Sequence, residues 1–186
     1  MPLTERELWL LNLYRNSELH GALLMGRLAR SLRHPELLVN VTRHCATEAR
    51  HAALLTELIA ELGSAPDPAV DTIQQHYSAE GGVPKETVDL LVLSDVLERR
   101  VLLSYDEHLR RDDIHPRVRQ VLTEIIREEE EHGGTEDAWL EQALAAMPAA
   151  EVAAARAKWR GVDERVVARL HEFLRTSFPA PEEVRA

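Results

Sequence analysis

The chain has 186 residues and carries 32 acidic against 22 basic side chains, for a formal net charge of −10. That length suits one domain large enough to bury a core, and the acidic balance excludes nucleic acid and anionic membrane as partners, because both require a basic face. Aromatic residues are only 4% of the chain while Ala, Leu, Glu and Arg abound, which favours helix over sheet.

Five long helices are expected in chain order. The first runs from about Thr4 to Leu32, with Leu8, Leu11, Met25, Leu28 and Leu32 at steps of three and four, and Thr4 with Glu7 reads as a capping box. The second spans Pro35 to Leu62 and closes at Gly63. Residues 63–85 form a long link, rich in Pro, Gly and Asp, with room for a short helix around Ile73. The third helix covers about Glu86 to Arg111 and the fourth Pro116 to Met147. A fifth, interrupted near Gly161, runs from Ala149 to Ser177 before the polar tail PAPEEVRA.

Short turns near His34 and Asp113 make two antiparallel hairpins. A link of this length can span a helix roughly 42 Å long, so it is expected to cross end to end and leave helices two and three parallel. The expected fold is all-α: a four-helix bundle over residues 1–147 with one long crossover between helices 2 and 3. Residues 148–186 add an extra C-terminal helix, packing on the bundle or at a dimer interface, and the tail. The lone Cys45 excludes an internal disulfide framework and fits a reducing compartment. No run approaches 18 uncharged apolar residues and MPLTERE does not resemble a signal peptide. A cytoplasmic protein is expected.

The acids occupy unexpected positions. Glu18 falls on the stripe of Leu11, Tyr14, Gly21 and Met25, and Glu48 on that of Val41, Cys45, Ala52, Leu55 and Ile59. Glu98 lies among Leu91, Ser94, Leu102 and Tyr105, and Glu129 among Val118, Leu122 and Ile125. Folding each hairpin at its turn puts its two Glu residues at one level. Helices two and four add a His three residues on, as Glu48-x-x-His51 and Glu129-x-x-His132, an interval that shares one helix face. From 23 Glu and 9 His in 186 residues, roughly one such pair is expected by chance. Two copies, each 30 or 31 residues after a core Glu, are a far stronger signal.

Four carboxylates in an apolar bundle repel one another, and each costs several kcal/mol to desolvate unless paired or protonated. No Lys or Arg falls on these inner faces, so a cation is expected. Two divalent ions balance four carboxylates, and a mixed oxygen and nitrogen donor set suits iron or manganese. One Glu from each of two helices plus Glu-x-x-His from each of the others is the ligand pattern of di-iron carboxylate bundles.

On Glu18, Glu48, His51, Glu98, Glu129 and His132 the chain resembles the ferritin-like di-iron superfamily, nearest in pattern to bacterioferritin and rubrerythrin, over about residues 4–147. The resemblance implies that Glu48 and Glu129 bridge two metal ions, with Glu18 and His51 on one and Glu98 and His132 on the other. It implies two iron ions (manganese or a mixed Fe/Mn pair being the alternative) reacting with dioxygen or peroxide. The electron donor or small-molecule substrate stays open. Val101 stands where rubrerythrins carry an additional Glu, and no cysteine-rich rubredoxin domain is present. Ala49 replaces the haem-ligating Met of bacterioferritins, so no haem is expected.

Around this set, His44, Asp95 and Glu128 are candidates to orient or supplement the ligands, although the run Glu128 to Glu131 otherwise reads as a solvated face. Tyr14 and Tyr105 are core residues by default, with a redox or gating role as the sharper alternative. Gly133 and Gly134 suggest a kink or π-bulge beside the metals, or a helix break before Thr135. The amphipathic stretch from Val166 to Phe178 fits packing on the bundle or a homo-oligomer, a dimer, better than membrane. The expected function is a di-iron oxidoreductase; iron storage in a shell and a metal-stabilised structural bundle are the alternatives.

Overall fold

The computed structural model describes residues 3–31, 33 and 35–179, with side chains for all of these except Ser31, Leu37 and residues 131–139. Among the described residues the secondary structure is helical: α1 (Glu5–Ser31), α2 (Pro35–Glu61), α3 (Ile73–Gly81), α4 (Thr87–Leu109), α5 (Pro116–Ala145) and α6 (Ala149–Ser177). No helix among them is long and apolar enough to cross a membrane.

Local chemistry sets the helix ends. Thr4 Oγ1 accepts from the Glu7 N–H at 3.1 Å. The Glu7 carboxylate does not return to close the expected box; it accepts from the backbone N–H of His115, the N-cap of α5, at 2.8 Å. Gly63, at φ 79°, lets the Ser64 N–H reach the Ile59 carbonyl at 3.0 Å and ends α2. Thr72 and Gln75 form a reciprocal capping box at the start of α3.

Side-chain contacts fix the directions. Arg15 Nε donates to Thr56 Oγ1 at 3.1 Å, and Gly26 lies against Cys45, so α1 and α2 run antiparallel. Tyr105 meets Glu18 and His108 approaches Glu7, so α1 and α4 also oppose. His51 faces Glu128 and Arg117 pairs with Glu61, which opposes α2 and α5. It follows that α2 and α4 are parallel. The link between them is fastened along α1: Asn16 Nδ2 donates to the carbonyls of Asp67 and Val70 at 2.9 and 2.7 Å, and Ser17 Oγ accepts from the Ile73 N–H at 2.9 Å.

Two apolar clusters result. One joins Leu10, Leu11 and Tyr14 of α1 to Leu55 and Ile59 of α2 and to Val118, Leu122 and Ile125 of α5. The other joins α3, α4, the end of α5 and α6 around Tyr77, Val92, Leu140 and Trp159. The far half of α1 belongs to neither. Met25 and Leu28, expected on the inner stripe, are only half-buried, and Leu19, Leu23 and Leu24 are exposed. Leu32 and residues 180–186 of the tail lie outside the described residues.

Two expected interruptions do not occur. α5 continues as α-helix through Gly133 and Gly134, without a break before Thr135 or a π-bulge. α6 is continuous through Gly161, because Trp159, Val162 and Val166 are buried against α3 and α4 on either side of it. Gly81 makes that approach possible, since a Cβ there would stand 2.7 Å from the Trp159 ring.

The α4–α6 seam is closed by a half-buried ion pair. Arg100 donates to both oxygens of Asp163 at 2.8 and 2.7 Å, and the Tyr77 hydroxyl donates to the same carboxylate. Burial would raise the Asp163 pKa, but the bonds from Arg100 and Tyr77 outweigh it and the net shift is downward. A lowered native pKa means that this stabilisation is complete above the ordinary aspartate value of about 3.9 and disappears as pH falls through the lower native value. Asp163→Asn is expected to cost about 1–3 kcal/mol at neutral pH and to flatten that acid dependence, as read by urea denaturation. Gly161→Ala, whose methyl would meet only the flexible end of Arg165 at 3.4 Å, is expected to stabilise the chain by about 0.5–1 kcal/mol in the same assay.

Candidate metal centre

Glu18, Glu48, Glu98 and Glu129, one from each of α1, α2, α4 and α5, all line a single cavity of about 170 Å³. Leu24, Met25, Leu97 and Leu102 surround them in the same cavity. The four acids, expected at one level from the hairpins, thus share one cavity. Glu18 is the deepest, at 4% exposure, while the side chain of Glu98 is 32% exposed.

Gly21 explains how Glu48 fits. A Cβ on Gly21 would lie 2.9 Å from the Glu48 carboxyl carbon, so the carboxyl group occupies the volume that any other residue would fill. There it meets Glu18. Burial first, and then the negative charge of Glu18, push the Glu48 carboxyl well above the ordinary carboxylate range, against the opposing pull of His44. His44 Nε2 lies 3.1 Å from Glu48 and 3.9 Å from Glu98, so this candidate does sit between two of the acids.

His51 is fully buried and held from both sides. Its Nε2 lies 3.2 Å from Glu128 Oε2, and Arg50 pairs with that same carboxylate. Its Nδ1 faces Glu129 Oε1 at 3.0 Å and Glu18 Oε2 at 3.6 Å, yet makes no hydrogen bond to either. Burial alone would lower the His51 pKa, but Glu129 and Glu18 outweigh it and raise it to about 9. At neutral pH the ring is therefore protonated on both nitrogens, and a metal ion would have to displace the Nδ1 proton while Nε2–H stays on Glu128.

Glu128 is therefore not part of a solvated acidic face: it is buried, and Arg50 supplies a cation beside these acids that the sequence pattern did not reveal. Tyr105 is fully buried and its hydroxyl donates to Glu18 Oε1; burial and the charge of Glu18 raise its pKa. Tyr14 packs edge-on against Tyr105, ring centroids 4.7 Å apart, and donates to the Ser104 carbonyl at 3.2 Å. Asp95 pairs with Arg99 on its own helix at 2.8 Å. The side chain of His132 lies outside the described set.

Among the described residues, no three His, Cys, Asp or Glu side chains form a ready-made metal cage. Their present bonds account for this in part, since Tyr105 is bound to Glu18 and His44 sits against Glu48.

No protein-family model matches the chain, and comparisons with curated proteins and with solved structures likewise found no match.

The donor set nevertheless fits a cation on its own chemistry: hard carboxylate oxygens around one cavity and an inward ring nitrogen without a hydrogen bond. Gly21→Ala tests the packing of that cavity. The helix gains propensity of about 1 kcal/mol while the Glu48 carboxyl is displaced. The expected outcome is a thermal midpoint close to that of the parent with Fe(II) or Mn(II) uptake reduced at least tenfold, measured by equilibrium dialysis.

Proposed function

We propose that the protein is a ferritin-like di-iron oxidoreductase that uses dioxygen or hydrogen peroxide as oxidant. The observation that carries this reading is the convergence of Glu18, Glu48, Glu98 and Glu129 on one cavity, with the unbonded Nδ1 of His51 facing two of them. Antiparallel α1–α2 and α2–α5 contacts, with α2 and α4 parallel across a long link, support a bundle of the ferritin type.

In this reading Glu18, Glu48, His51, Glu98, Glu129 and His132 would hold two iron ions, with a mixed iron–manganese pair as a variant. Bound iron supplies redox equivalents and Lewis acidity. The chain supplies the rest. Glu128, braced by Arg50, fixes the His51 ring and its tautomer. Tyr105 holds one oxygen of Glu18 and leaves the other turned to His51. At its deepest point, where Glu18 is buried, electrostatic interactions are stronger than in water.

Anaerobic loading with Fe(II), followed by stopped-flow absorbance against dioxygen and against peroxide, tests the proposal. Two ions per chain and a transient with at least one oxidant are expected, and Glu48→Ala or Glu129→Ala should abolish both signals. No uptake, or uptake unaltered by either variant, would overturn it. Uptake without a transient would identify a structural metal instead. A large shell by size-exclusion chromatography would favour storage.

A further inference from the structure

A second cavity, of about 220 Å³, is bounded by α1, α3, α4 and α6. Its floor is apolar, from Leu10 and Leu13 of α1 and Leu170 and Leu174 of α6, with Trp9 beside them. Three arginines line it, against a single carboxylate, Glu107.

The three arginines are not equivalent. Arg100 is neutralised by Asp163, and Arg111 pairs with Asp113 at 2.6 Å. Glu107 is taken by His171, at 3.3 Å. Arg6 has no ion pair or hydrogen bond among the described residues, and its Nε is buried without a partner. Burial, and then the like charge of Arg111, lower its pKa, so its surroundings disfavour the cation that it carries. His108 Nδ1, on the same wall, is also buried without a hydrogen bond. A pocket with an apolar body and a guanidinium whose buried Nε lacks a hydrogen-bond partner, with Asp113 as a neighbouring countercharge, is complementary to an amphipathic anion.

We propose that this cavity binds a small apolar monocarboxylic acid, its chain against Leu10, Leu13, Leu170 and Leu174 and its carboxylate on Arg6. The volume falls below the roughly 300–1,000 Å³ of pockets for drug-sized ligands, which restricts the ligand to a short aliphatic or single-ring acid. Arg6, with its planar fork of donors, recognises a carboxylate in two-point fashion where an ammonium or hydroxyl head group finds no counterpart. The site is separate from the carboxylate cavity and does not depend on any metal there.

Isothermal titration of the full chain, treated with chelator so that no metal can hold a carboxylate, tests the proposal with octanoate, 1-octanol and octylamine. Octanoate is expected to bind at least tenfold more tightly than octanol, and octylamine more weakly than either. Arg6→Gln should bring octanoate down to the level of octanol without changing octanol itself. Leu170→Trp, which fills the cavity from the half-buried side of α6, should remove binding of both while circular dichroism stays that of the parent. Absence of binding by all three probes, equal binding of octylamine and octanoate, or an Arg6→Gln variant that binds octanoate unchanged would overturn the assignment. Because the measurement is made without metal, its failure leaves the iron chemistry untouched, and failure of iron loading leaves this binding untouched.

Discussion

Holding Glu18 against Glu48 inside a helical protein is electrostatically uphill, and much of the molecule is organised around that fact. Glu18 is buried and the side chain of Glu48 nearly so, the two carboxyls are close enough to share a proton, and burial favours the neutral form of Glu48. Each neighbour compensates. Tyr105 donates to Glu18, His44 leans on Glu48, and His51 places a ring nitrogen between Glu18 and Glu129. Arg50 acts one shell further out through Glu128. A dication would satisfy the same demand with fewer protons, because metal binding displaces them from carboxylate and imidazole ligands.

This meeting of charges depends on register. Each hairpin sets two acids at equal distance from its turn, and the link between α2 and α4 sets one hairpin against the other. Asn12, Asn16 and Ser17 do the latter: buried on α1, they bond the backbone of the link at Asp67, Val70 and Ile73. Shifting the link by one residue would leave those backbone groups unpaired in the interior, at a cost of about 1–3 kcal/mol each.

The helical class and the meeting of the four acids were legible in the sequence because they follow from spacing, and spacing survives folding. What escaped depends on partners distant in the chain. Asn16 and Ser17 look like ordinary polar helix residues until the loop that they hold is in place. Glu128 sits in a run of four acids, and only the approach of α2 distinguishes it from its neighbours. Gly161 signals a break by local propensity, yet burial of Trp159, Val162 and Val166 overrides so weak a preference. Met25 and Leu28 have the right period for a core face, but the end of α1 extends beyond both apolar clusters.

Val101 packs against both apolar clusters and, with Ser17, lines both cavities. With valine there, the partition between the cavities is a thin low-dielectric membrane in miniature. Ions pay a steep transfer penalty to enter such a layer, whereas small neutral molecules do not. A charge held on one side of such a wall would stay there, because crossing it means leaving polar surroundings.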